Sequence, residues 1–458
     1  MNFNSPAFLV FFPAVFALHW ILPHRFRWAL LLAASWLFYF WWNPWTGFLL
    51  VGATLISWLC ARGIVRTEAA AVRRAWLVLA LTASLGCLGV FKYAGFFASM
   101  AGLKPALRII LPVGISFYTF QTLSYVIDVY RGTGKPEGHF GYYALFVSFF
   151  PQLVAGPIER PEHLLPQLRA ERRLPAESLA AGGWLLLEGY FKKVVIADGL
   201  APFVDRVYGA PGQALGPEVV LATALFGVQI YCDFSGYSDI ARGAARLLGI
   251  DLTENFRRPY GAKTVGEFWR RWHISLTSWF TDYVYIPLGG NRKGLLRQVL
   301  HILAVFLLSG LWHGAGWTFV LWGLIHGLYL AGGVLLERRG RGPRPEKVGP
   351  DLPARMRTFL LVTFPWLFFR AASLEDAAVL LSRLTVGWGS VPDALRQALP
   401  MALPLICLPL AERLPETGGH RDRSASALAV FSAVTAICIA WLAQLAGGGQ
   451  NAFIYFQF

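Results

Sequence analysis

Two histidines stand where an imidazole could do chemistry. His313 lies in Leu311-Trp312-His313-Gly314-Ala315-Gly316-Trp317, between two apolar runs. An ionisable residue within a membrane span is a functional candidate by default. Water-poor surroundings disfavour the imidazolium, leaving a neutral ring that can take a proton from a hydroxyl. General-base help of this kind is worth about 10²–10⁴ in rate. The flanking glycines leave space for a substrate chain. The competing reading is an intramembrane histidine that hydrogen-bonds a neighbouring helix.

His273 sits in Thr264-Val265-Gly266-Glu267-Phe268-Trp269-Arg270-Arg271-Trp272-His273-Ile274-Ser275-Leu276-Thr277. Phe268, Trp272, Leu276, Trp279, Phe280 and Tyr283 recur at helical spacing as one apolar stripe. Arg270, His273 and Thr277 fall on another face. Thr264 can cap the start, with Glu267 as its capping-box partner. The spacing predicts an amphipathic helix near the cytoplasmic interface. Such a helix lies on lipid headgroups or turns His273 toward a cavity in the bundle.

A third cluster, Gln229 to Arg242, puts Asp233 and Asp239 in an apolar span. Each acid there costs about 2.5–3.5 kcal/mol at a helix centre. Asp239 and Arg242 are spaced to pair, and a buried polar network that fixes helix packing is the role this pattern favours. His301, His313 and His326 do not share one helical face, and no HExxH or HxxxH motif occurs, so a haem or zinc centre is not expected.

These residues need a scaffold, and composition says which solvent holds it. The chain of 458 residues is 56% hydrophobic and 15% charged, against about 25% charged in soluble domains. Its mean hydropathy is +0.49. A bilayer explains this better than water does. The net charge of +15 sits in short blocks between apolar runs, the pattern of cytoplasmic loops rather than of nucleic-acid binding. Cys60, Cys87, Cys232, Cys407 and Cys438 show no paired spacing and read as small apolar residues in helices. The N-terminus lacks the basic start of a cleavable signal.

Candidate spans, each needing ~20 apolar residues, are 7–22, 27–42, 46–61, 75–97, 107–130, 140–157, 183–208, 217–249, 297–312, 315–336, 356–371, 398–412 and 424–445. Basic clusters at Arg25/Arg27, Arg62 to Arg74, 257–297, Arg338 to Arg357 and Arg413 to Arg423 belong in the cytoplasm. All of them fit if the breaker-rich piece near 145–157 dips in and returns; a short Pro-kinked helix is the alternative. This gives an all-α polytopic fold of about twelve spans, with both termini periplasmic. Residues 251–297 lie at the cytoplasmic side, and the Gly/Pro/Arg stretch Arg338 to Pro350 marks a cytoplasmic loop over 337–355. Residues 1–458 read as one transmembrane domain. On this topology His273 lies on the cytoplasmic approach and His313 toward the outer half of the bilayer.

Taken together, these motifs resemble the membrane-bound O-acyltransferase family, in the bacterial branch that serves alginate O-acetylation. The likeness rests on Gln229 to Asp239, Glu254-Asn255-Phe256 with Pro259-Tyr260, Glu267 to Thr277, and Asp282-Tyr283 with Leu288 to Arg292. Leu311 to Gly314, Leu111 to Tyr130, Phe150 to Arg160 and the tail Phe453 to Phe458 extend it over nearly the whole chain. The resemblance implies a ring of about 11–12 tilted helices, with re-entrant and amphipathic segments, around a central tunnel. It implies that His313 is the active-site histidine, and that His273 fills a signature position held by His or Asn elsewhere. Trp272, Arg270, Trp312, Asn255 and Asp233 are expected to line the substrate site.

The same resemblance implies acetyl-CoA as acyl donor, with no bound cofactor. It also implies an inner-membrane location among membrane lipids and a periplasmic polysaccharide O-acetyltransferase as partner. His313 would deprotonate an acceptor hydroxyl or carry the acyl group; His273 would orient the thioester or steady negative charge. Two other classes remain open: a transporter or flippase of acyl groups or lipid-linked sugars, and a non-catalytic scaffold for the partner. Transfer of D-alanine to teichoic acid is a variant of the enzyme reading.

Overall fold

The computed structural model describes residues 1–103, 111–154, 156–173, 176–340, 351–412, 433–434 and 436–437. The expected span at 424–445 falls almost wholly outside the described residues. So do the tail Phe453–Phe458, Cys438, the placement of the C-terminus and the 341–350 part of the cytoplasmic loop. Among the described residues every regular element is helical. Apolar surroundings favour this, since a helix satisfies its own amides without water.

In chain order the helices are α1 (Pro6–Ile21), α2 (His24–Phe40), α3 (Pro44–Val65), α4 (Ala70–Met100) and α5 (Ile115–Arg131). There follow α6 (Phe140–Ser148), α7 (Phe150–Leu153), α8 (Pro161–Arg169), α9 (Ala176–Tyr190), α10 (Asp198–Gly209) and α11 (Gly216–Leu247). Next come α12 (Val265–Arg271), α13 (Ile274–Phe280), α14 (Leu295–His313), α15 (Trp317–Arg338) and α16 (Leu352–Arg370). Shorter helices continue to Ala411.

This is a multi-pass membrane protein. Among the described residues five helices, α3, α4, α11, α14 and α15, are long and apolar enough to cross a bilayer by length and composition. Most of the other predicted stretches are shorter or interrupted. Helices α1, α2 and α5 hold 16 to 17 residues, about 24–26 Å against a hydrocarbon core of ~30 Å. The 183–208 stretch runs on through a π-helical turn, Phe191–Ala197, but carries Glu188, Lys192, Lys193 and Asp198 along it.

The described chain divides into two compact units. One comprises Met1–Leu187 and Tyr237–Glu254, the other Glu188–Gly236 and Asn255–Phe458.

In the first unit, helix starts follow their capping chemistry. Ser5 accepts from the Phe8 amide ahead of Pro6, and Asn43 accepts from the Trp45 amide ahead of Pro44. Phe3, Phe8, Phe38 and Phe150 form an aromatic cluster with neighbouring rings 5.0–6.1 Å apart. The expected re-entrant stretch is a broken pair of short helices, α6 and α7. Nine residues of α6 rise only ~13 Å, so neither piece crosses by itself. Every side chain from Tyr143 to Val154 is buried. Ser35 Oγ accepts from the Phe150 amide at 3.0 Å. The Gln121 and Gln152 amides both donate to the Phe146 carbonyl, at 2.8 and 2.6 Å. These bonds satisfy backbone at the break. The expected Asp239–Arg242 pair is present at 3.7 Å.

In the second unit α14 and α15 form a tight hairpin closed by Gly314-Ala315-Gly316. A Cβ on Gly323 would overlap the Phe306 carbonyl oxygen and stand 3.4 Å from the Gly310 Cα. One on Gly310 would overlap the Phe319 carbonyl oxygen. Two backbones therefore cross where glycine alone leaves room, the usual device for close helix packing in membranes.

Candidate active site

The single amphipathic helix expected through 264–283 does not form. Helix α12 ends at Arg271, His273 takes a left-handed backbone (φ 44°, ψ 54°), and α13 starts at Ile274. The cause lies in the preceding loop. The Arg257 amide donates to the Arg271 carbonyl and the Ile274 amide to the Asn255 carbonyl, both at 2.9 Å. This pairing diverts the chain between the two short helices. The turn buries Trp272 and His273 in protein, so the segment is not a helix lying on lipid. Thr264 does cap α12 through the Glu267 amide. Glu267, however, accepts from the Lys263 amide at 2.7 Å and from Arg271, not from its expected box partner.

Asn255 holds the histidine side chain. Its Oδ1 accepts from the Ser275 amide at 3.3 Å and from the Ser275 hydroxyl at 2.8 Å. An oxygen receiving a backbone N–H is the acceptor of that amide group, so His273 Nδ1, 3.2 Å away, must donate to it. The neutral ring then carries its lone pair on Nε2. His273 stands between short helices, outside the spanning ones, and burial pushes its pKa down to about 3. A neutral imidazole with one defined acceptor nitrogen results. Asn255→Ala removes the shared acceptor and strands the Ser275 donors, a cost of about 1–3 kcal/mol. The activity that the resemblance implies is expected to fall at least about tenfold, 1.36 kcal/mol of barrier, measured at matched protein level. Full activity would show that the Asn255 oxygen does not orient the ring.

His313 closes α14 and is 3% exposed. The Trp312, Trp322 and Phe369 rings meet it edge-on with centroids 5.0, 5.1 and 5.5 Å away. The His273 and His313 centroids are 6.4 Å apart. The two sequence motifs, assigned to opposite approaches by topology, therefore meet at one point. Trp312 lies 5.8 Å from His273, and Trp272 stacks on Phe268 at 5.3 Å. Of the other expected substrate residues, Arg270 is exposed. The helix break separates it from the face it was to share with His273.

Asp233 has a structural partner. Lys193 Nζ stands 2.6 Å from Asp233 and 2.8 Å from Asp198, all three largely buried. Beside them Lys192 pairs with Glu188 at 2.7 Å and lies 3.6 Å from Glu412, which also takes a hydrogen bond from the Tyr231 hydroxyl. Sequence reasoning missed Lys192 and Lys193, although two adjacent cations inside an apolar run are themselves a signal. It also missed Trp322, Phe369 and Trp366, whose ring lies 5.2 Å from Trp272 and 5.7 Å from Trp322; nothing in local spacing marks them. Lys193→Met leaves two carboxylates buried without their cation, and such losses cost 3–5 kcal/mol or about that. A clear drop in thermal unfolding temperature in detergent is the expected readout; an unchanged one contradicts the pairing.

Comparison of the sequence with known proteins points to one family. The profile of the membrane-bound O-acyltransferase family fits residues 137–369, which include both histidines. The chain is 40% identical over 393 residues to the "Probable alginate O-acetylase AlgI" of Pseudomonas putida, covering 82% of this chain and 79% of the relative. It is 37% identical over 419 residues to the peptidoglycan O-acetyltransferase of Helicobacter pylori, covering 83% and 79%. Identity to the teichoic acid D-alanyltransferase of Bacillus subtilis is 27% over 264 residues, covering 55% and 66%. With its helical architecture, its paired buried histidines and these matches, the chain belongs to the membrane-bound O-acyltransferase family and is an acyltransferase.

Proposed function

We propose that the protein takes an acetyl group from acetyl-CoA at the cytoplasmic face of the bacterial inner membrane. It passes the group outward for O-acetylation of an exported polysaccharide, with a periplasmic transferase completing the transfer. The observation that carries the reading is the meeting of His273 and His313, their ring centroids 6.4 Å apart, in a buried aromatic setting. Relatives named for alginate and peptidoglycan O-acetylation support the choice of acyl group and acceptor class.

In this reading His313 takes the proton from an acceptor hydroxyl as its oxygen attacks the thioester carbon. The carbon–sulfur bond breaks, and the proton passes from His313 to the departing thiolate. Asn255 orients His273 beside the reacting groups, and Trp272 and Trp312 shape the enclosure. Asp233 is assigned to structure rather than to substrate, because Lys193 already holds it.

Proteoliposomes supplied with acetyl-labelled acetyl-CoA on one side test the proposal. The expected outcome is thiol release on that side and ester-bound label on an acceptor presented on the other. Label crossing without thiol release would indicate a transporter. No turnover by folded protein, even with the periplasmic partner present, would indicate a scaffold.

A further inference from the structure

His326 lies on α15, one turn beyond Trp322, and is fully buried. Trp269 Nε1 donates to His326 Nδ1 at 3.3 Å. Indole nitrogen only donates, so Nδ1 is the acceptor and the neutral ring carries its hydrogen on Nε2. Among the described residues, His326 Nε2 has no hydrogen-bond partner. Burying an unpaired N–H is unfavourable, and a phenyl ring would fill the same space without it. Packing alone therefore gives no reason for histidine here. What a phenyl ring lacks is the acceptor that Nδ1 offers Trp269.

That acceptor sits where both catalytic supports converge. The Trp269 and Trp322 rings each meet His326 with centroids 5.0 Å away, and meet each other at 5.8 Å. Trp269 belongs to α12, whose end leads directly into Trp272 and His273. Trp322 packs edge-on against His313 at 5.1 Å. We infer that His326 is a positioning residue for acyl transfer: through Trp269 and Trp322 it holds the supports of His273 and His313 in register. The inference rests on the catalytic reading above and assigns His326 no contact with substrate.

The test compares His326→Phe, His326→Asn, Trp269→Phe and the His326→Phe/Trp269→Phe double variant with the parent, all reconstituted in nanodiscs. Thiol release from acetyl-CoA is followed against donor concentration, with thermal unfolding recorded alongside. His326→Phe is expected to lower kcat about tenfold or more with donor KM within about twofold. His326→Asn, which keeps an acceptor near the Nδ1 position, should restore part of the rate. The double variant should lose no more than the worse single one, since both remove the same bond. Wild-type kcat in His326→Phe overturns the inference. So does a kcat loss that tracks the unfolded fraction with no rescue by Asn. Trp269→Phe keeps aromatic bulk, and an additive double variant also rejects the link. His313→Ala in the same assay separates the two claims: turnover surviving there sinks the catalytic reading, whereas its loss beside a fully active His326→Phe sinks only the positioning role.

Discussion

His313→Ala is expected to abolish acetyl transfer to polymer while leaving the protein in the membrane at its normal level. Loss of a positioned base alone costs about 10²–10⁴ in rate, or roughly 3–5 kcal/mol of barrier at 1.36 kcal/mol per decade. The substitution also empties a space bounded by Trp312, Trp322 and Phe369. Some thermal stability will go with it, because large-to-small changes in cores leave cavities. The two effects separate in measurement. Ester-bound acetate on the secreted polymer reports chemistry, and protein level with thermal unfolding reports packing. A scaffold would keep acetylation at equal protein level, and that result would refute the enzyme role assigned to this ring.

Gly323→Val should produce the largest structural effect. Its added carbons point at the Phe306 carbonyl oxygen and at the Gly310 backbone. Backbone cannot swing away as a flexible side-chain end can, so α14 and α15 must separate. Overpacking typically costs 1–3 kcal/mol, a range this site should reach or exceed at about 3 kcal/mol. His313 ends α14, so separation also displaces the imidazole. The expected result is little folded protein and no activity. Gly332 and Gly333, farther along α15, supply the control, since a Cβ there meets nothing within 4 Å. Alanine at either should be tolerated or mildly stabilising, by up to roughly 1 kcal/mol. Equal tolerance at all three positions would show that the hairpin does not depend on close backbone contact.

Features set by local rules were legible in the residues. Ser5, Asn43 and Thr264 cap where their side chains suggest. The candidate spans through 398–412 coincide with helices or broken helix pairs, and His313 and His273 stand out by type and setting. What failed depended on distant partners. The helix break at His273 comes from Asn255, 18 residues earlier, and no periodicity within 264–283 contains it. Asp233 reads as part of a packing network by type, but its partner Lys193 lies before α10, beyond the reach of any local spacing rule. The Tyr231–Glu412 bond joins positions 181 residues apart. Arg270 was placed with His273 by counting along a helix that stops between them. Hydropathy placed the two histidines at different depths, whereas their meeting depends on the turn after Arg271.

The left-handed backbone at His273 narrows the choice of side chain before any chemistry is considered. For most L-residues that conformation costs about 1–2 kcal/mol, and β-branched or bulky ones are genuine outliers there. Histidine, asparagine and aspartate are the non-glycine residues that visit it most readily. This offers a steric reason why the resemblance associates His and Asn with the position. The turn works as a filter: a β-branched valine of suitable volume would strain the bend, whereas histidine and asparagine accept it readily and can also meet Asn255.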